Sequence, residues 1–271
     1  MTATREARAL GYARVTLGVI FLARTTPLLS FLGGPIGAQA SPLLGWPTAE
    51  WTLAFPGTSL PAWIVASLCV LRTAAALLFT CGVRARVAGV VAAASGYLVV
   101  AQDRFAFVNS FHVLFLATFV LACTSAPSAV ALVPERQEQH AEITSSVRFV
   151  SVVLASIYLW AGVAKVQPDW LSGHALQIQT AAGAFAGPLG ALLERAPLRA
   201  VVSLAVPALE LTVAALLVAD RRRLAIVLGL LFHALVELTV KPDMLGWQMA
   251  VLLLAIWPRP TETVAAEPAE R

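Results

Sequence analysis

Of the nineteen basic residues in this 271-residue chain only two are lysines, Lys165 and Lys241. Lys165 closes an apolar stretch that begins Tyr158-Leu-Trp-Ala-Gly162-Val-Ala-Lys165. Arginine keeps its proton inside a protein, whereas a buried amine can give its proton up and then serve as a base. Read as a helix, Tyr158, Gly162 and Lys165 fall at i, i+4 and i+7, so a hydroxyl, a gap and an amine share one face. A flat ring could lie in that gap beside the amine. The plainer reading is that Lys165 sits in a last helical turn, where the helix dipole favours a cation and its head can snorkel to a membrane surface.

Further ionisable residues interrupt apolar runs: Arg14, Arg24, Arg72, His112, Glu210, His233 and Glu237. A charge at the centre of a bilayer costs roughly 3 kcal/mol on insertion scales, so such residues face a bundle interior and find partners there. His233 and Glu237 are four apart on one helical face, which would let the carboxylate orient the imidazole for proton transfer. Arg72 could pair with Glu210 or with Glu237, or these groups could be ion pairs that only fix helix register. His112 could bond a neighbouring helix or contact a substrate.

The elements that carry these residues are apolar segments. The chain is 59% hydrophobic and 13% charged, against about a quarter charged in soluble domains. That excludes a soluble enzyme and predicts an all-α, polytopic membrane bundle. Eight spans are expected, at about 9–31, 61–81, 86–102, 107–124, 147–166, 200–219, 223–240 and 244–258. The third, fourth, seventh and eighth are short, which suggests tilt or re-entry. The first run follows Arg5 and Arg8 but continues past the length of a signal sequence, so it is read as a retained span. Residues 1–258 then make one transmembrane domain, and 259–271 a short disordered cytoplasmic tail.

Arginine is concentrated in the segments that an inner N-terminus would place inside, including Arg84, Arg86, Arg136, Arg148, Arg221, Arg222 and Arg223. The positive-inside rule puts both termini in the cytoplasm and the Lys165 end of the fifth span outside. This distribution, rather than nucleic-acid binding, accounts for the net charge of +4. Two outer connections are long. Gly33 to Leu60 carries Trp46 and Trp51 and is expected at the interface, and Gln167 to Pro197 has an amphipathic middle. The inner loop from Ser125 to Ser146 is polar and suggests no chemistry. Cys69, Cys81 and Cys123 have neither disulfide nor metal spacing and read as small buried hydrophobes.

The segment Tyr158-Leu-Trp-Ala-Gly-Val-Ala-Lys165-Val-Gln-Pro-Asp-Trp170-Leu-Ser-Gly173 resembles the Y-x-x-A-G-x-x-K-x-x-x-x-W-x-x-G signature of vitamin K-dependent gamma-glutamyl carboxylase and the broader horizontally transferred transmembrane domain family. Phe232-His233 through Asp243-Met244-Leu-Gly-Trp247-Gln-Met249-Ala250 is similar to that family's F-H…G-M-F-x-x-x-M-L-A segment, with Asp243 in place of Gly and Ala250 in place of Leu. Asn109-Ser110-Phe111-His112 matches the family's N-H-x-Y-type motif only loosely. The resemblance implies that Lys165 is the base that deprotonates a hydroquinone, after which O2 adds and an epoxide forms.

Only a short segment follows the last span, so protein carboxylation is not expected, nor is nucleic acid a partner. The expectation is a quinol oxygenase or epoxidase in a bacterial cytoplasmic membrane, with the lipid bilayer and a small hydroquinone as its partners. Lys165 and His233 would be catalytic, Tyr158, Gly162, Trp170 and His112 would contact the ring, and Glu237, Arg72 and Glu210 would support them. No bound metal or flavin is expected, since a quinol anion reacts with O2 itself. The alternatives are a membrane partner in maturation or export of a secreted peptide and, more weakly, a small-anion transporter.

Overall fold

The computed structural model describes residues 5–25, 60–101, 109–124, 130–132, 140–185, 187–239 and 244–257. These form eleven helices and, among the described residues, no strand. They are α1 (Arg5–Thr25), α2 (Ala62–Cys81), α3 (Ala85–Val100), α4 (Asn109–Cys123), α5 (His140–Lys165), α6 (Pro168–Leu171), α7 (His174–Ala181), α8 (Gly187–Leu193), α9 (Ala196–Val218), α10 (Arg222–Thr239) and α11 (Leu245–Ala255). Each of the eight predicted segments holds one long helix: α1 to α5, α9, α10 and α11. Helix α5 starts at His140 rather than at 147, because Ser145 and Ser146 return their hydroxyls to the carbonyls of Ala141 and Glu142 and so fit a helix without water.

Length and apolarity qualify three of the eight helices, α2, α5 and α9, to cross a membrane, each within the segments Trp63–Cys81, Ala141–Lys165 and Ala196–Val218. Helices α3, α4 and α11 are apolar but shorter, and α11 has 11 residues. At about 1.5 Å per residue it covers roughly half of a hydrocarbon core of about 30 Å. The outer connection Gln167 to Pro197 contains the short helices α6, α7 and α8, and α7 buries Leu176. The Gly33 to Leu60 connection up to residue 59, most of the inner loop, the tail after Trp257, Lys241 and Asp243 all lie outside the described residues.

Packing divides the bundle into two groups that share α11. Helix α2 lies against α1 and α3, α3 against α4, and α1 against α4 and α11; α5 lies against α9, which in turn meets α10, and α10 pairs with α11. Helix α3 fits between α2 and α4 because its buried face is Ala88, Gly89, Ala92, Ala93 and Gly96. A Cβ on Gly96 would come within 2.6 Å of the Phe115 ring, so the backbone there must be bare.

Arg14 is buried, yet it serves a helix end rather than a polar core. Helix α2 stops where Gly82 turns left-handed, at φ 78, which leaves carbonyls of its last turn without helical partners. Arg14 donates to the carbonyls of Phe79, of Thr80 at 3.0 Å and of Val130 at 2.5 Å, joining three segments. We expect Arg14→Met to keep the packing of the stem and strand the Thr80 and Val130 carbonyls, at about 1–3 kcal/mol for each buried group left unpaired, while the Phe79 carbonyl keeps the Gly82 N–H. The melting temperature of the purified protein in detergent should fall clearly, and an unchanged value would contradict the assignment.

Candidate functional site

Helix α5 ends at Lys165 because Gln167 precedes Pro168 and takes extended backbone, φ −142 and ψ 153. The last turn therefore leaves the Lys165 amine at the flank of α9, where Glu210 is buried. Nζ donates to Oε1 and Oε2 of Glu210 at 2.8 and 2.9 Å and to the Ala161 carbonyl at 3.1 Å. All three ammonium protons thus have acceptors. The lysine side chain is 23% exposed and that of Glu210 is 7% exposed, so the amine looks outward from an otherwise enclosed pair. Lys165 is not a bare snorkelling anchor.

The wall beside the amine is made by a proline. Pro207 lies inside α9, and having no N–H it leaves the carbonyl of Ser203, four residues earlier, without its helical donor. That carbonyl accepts the indole N–H of Trp170 at 2.9 Å. The Ser203 hydroxyl donates to the carbonyls of Leu171 and Ala200 at 3.2 and 2.8 Å. Helix α6 is thereby tied to α9, and the Trp170 ring centre stands 5.5 Å from Nζ of Lys165.

One further layer in, Tyr158 is bonded to the imidazole of His233, with 2.8 Å from hydroxyl to Nε2. Both are buried. Nδ1 of His233 is buried and has no hydrogen-bond partner among the described residues. The structure thus brings Trp170, Lys165 and Glu210 together across α5, α6 and α9, and Tyr158 and His233 together across α5 and α10.

Other expected members stand elsewhere. Glu237 accepts the backbone N–H of Gly246 at 2.8 Å, one of the unpaired donors at the start of α11, so it caps that helix and the partner of His233 is Tyr158. The gap expected at Gly162 is filled by Leu211, 2.8 Å from where a Cβ would stand, so the glycine admits α9 and not a ring. Arg72 pairs with neither carboxylate and donates to the carbonyl of Thr25 at 2.5 Å. His112 is exposed and meets Tyr97 of α3, with 3.1 Å between Nδ1 and the hydroxyl. Cys123 is exposed and Cys69 and Cys81 half-buried, so none of the thiols is the fully buried hydrophobe expected.

Two participants escaped the sequence reading. Ser203 becomes an acceptor through Pro207, and a proline inside an apolar span was the available signal. Gln248 is fully buried with neither amide atom bonded, and a search for charges passes over it. No group of His, Cys, Asp or Glu among the described residues could hold a metal. A cavity of about 410 Å³ lies at the other end of α5, lined by Cys123, Ala141, Glu142, Ser145, Ser146 and Phe149, and belongs to another region.

Helices long and apolar enough to span a bilayer, joined through a lysine–carboxylate pair and a tyrosine–histidine pair, define a helical membrane protein with a polar interior. The HTTM domain matches residues 4–259, and the chain belongs to that family, the membrane domain of vitamin K-dependent carboxylase-like proteins. No curated protein and no solved structure gives a significant match.

The proline assignment has a direct check. Pro207→Ala restores the donor to the Ser203 carbonyl, so α9 should gain a helical bond while Trp170 loses its acceptor. With Trp170 read against a Trp170→Phe control, we expect its fluorescence component to shift to the red and become accessible to quencher. No change would remove Pro207 from the account.

Proposed function

We propose that the protein is a hydroquinone oxygenase embedded in a bacterial cytoplasmic membrane, its eight long helices crossing the bilayer and both termini cytoplasmic. The observation that supports it most is the Lys165 amine, fixed by Glu210 and walled by Trp170, within an HTTM domain. The net reaction is quinol plus O2 to quinone epoxide plus water. The phenolic proton passes to the Lys165–Glu210 pair, whose members share a short contact. Electrons of the quinol anion then form a carbon–oxygen bond to O2, and the oxygen–oxygen bond breaks as the second carbon–oxygen bond closes the epoxide. One oxygen atom ends in the epoxide and the other in water.

In this reading the ring stacks against Trp170, since Leu211 occupies the space at Gly162. Tyr158 and His233 bond the second quinol oxygen, with Nδ1 of His233 uncommitted to serve it. O2 is co-substrate, and the family's relation to carboxylase and epoxidase enzymes favours this chemistry over transport.

The experiment supplies benzo- and naphthohydroquinones with 18O2 to the protein in nanodiscs and reads labelled epoxide by mass. Lys165→Ala, Lys165→Arg and Glu210→Gln should each lower the initial rate by about 100-fold or more, the usual contribution of a positioned acid or base. Wild-type turnover in Lys165→Ala removes the base, and no epoxide from any quinol removes the reaction. A Lys165→Arg protein that keeps its cellular role without epoxide formation supports the peptide-maturation alternative instead.

A further inference from the structure

Arg72 lies well inside α2, apart from the residues of the Lys165 site, and is 2% exposed. A guanidinium carries five N–H donors and stays protonated. One donor goes to the carbonyl of Thr25 at the end of α1, while Nε and Nη1 have no partner among the described residues. The carboxylates once available to it are committed, Glu210 to Lys165 and Glu237 to the Gly246 amide. A buried cation without a counter-charge is strongly disfavoured in an apolar bundle, and a bound anion removes the penalty.

The surroundings extend the same end of the bundle. Arg24, next to Thr25, donates to the Ser110 hydroxyl at 3.0 Å and lies over the Phe111 ring at 4.8 Å, which brings the end of α1 to the start of α4. Helix α11 packs against both α1 and α4. In its first turn stands Gln248, fully buried, with neither its amide nitrogen nor its oxygen bonded among the described residues. Two enclosed side chains of this bundle therefore hold unused donors, one charged and one neutral.

We propose that Arg72 anchors a binding site for an oxyanion, a carboxylate or a phosphate, held inside the bundle where α2 meets the end of α1. The planar fork of Arg72 suits a group that presents two coplanar oxygens, which both anions do and chloride does not. The group can arrive on a lipid headgroup or on a free small molecule.

Two arms separate the sources in the full-length protein. In the first, protein is reconstituted in nanodiscs of phosphatidylcholine with or without phosphatidylglycerol, then ejected for native mass spectrometry; a headgroup source predicts one retained phosphatidylglycerol. In the second, delipidated protein is melted with inorganic phosphate or benzoate against chloride at equal ionic strength. A free source predicts a saturable rise in midpoint of about 3 °C or more with one of them, as expected of a ligand that binds only the folded state. Arg72→Gln should abolish either response, and Arg72→Lys, which keeps the charge but not the fork, should weaken it by about tenfold. Wild-type protein that neither retains the anionic lipid nor responds to either anion beyond chloride overturns the proposal even if both variants fail to fold. Equal binding by a folded Arg72→Gln overturns it too.

Discussion

The bond between Lys165 and Glu210 is the constraint on which this end of the bundle depends. Two opposite charges at 2.8 Å in apolar surroundings are tolerable only while they stay together, because either alone would be a buried ion. Keeping them together fixes the register of α5 against α9. The bare backbone of Gly162 lets the helices approach closely enough around Leu211, and the Trp170 bond to Ser203 holds the chain just beyond the lysine. Charge, close approach and the proline-freed carbonyl of α9 thus set one geometry from three directions.

The same scarcity of water explains where the remaining polar groups went. Without solvent to satisfy them, helix ends inside a bilayer compete for every donor and acceptor nearby. Arg14 is drawn to the carbonyls ending α2, and Glu237 to the amide of Gly246 at the start of α11. Both look like chemistry when only composition is considered, and both complete backbone hydrogen bonding. Tyr158 and His233 differ, since each is bonded to the other and touches no helix end with its polar atoms.

This is also why the sequence was legible in part. The eight helices follow from runs of apolar residues, and of the residues spaced along one face of α5, Gly162 and Lys165 meet α9 while Tyr158 meets α10. The partner of Lys165 was not legible, because Glu210 lies 45 residues on and Arg72 competes for it on charge alone. Nor was the role of Gly162: a missing side chain reads equally well as room for a ligand or for Leu211. The i to i+4 rule placed Glu237 beside His233 on one face. It could not foresee that α11 begins where that carboxylate reaches its first turn.

The separation of Lys165 and Glu210 along the chain has a consequence for biogenesis. Helix α5 leaves the ribosome before α9, so the lysine of its last turn is made 45 residues ahead of its partner. Helix α9 arrives later with Glu210 inside its apolar run and Pro207 breaking its ladder, two features that oppose insertion on their own. The amine already in place supplies the missing counter-charge. The order of synthesis thus makes α5 the template for α9, and the charge at the helix end acts in assembly before it can act in anything else.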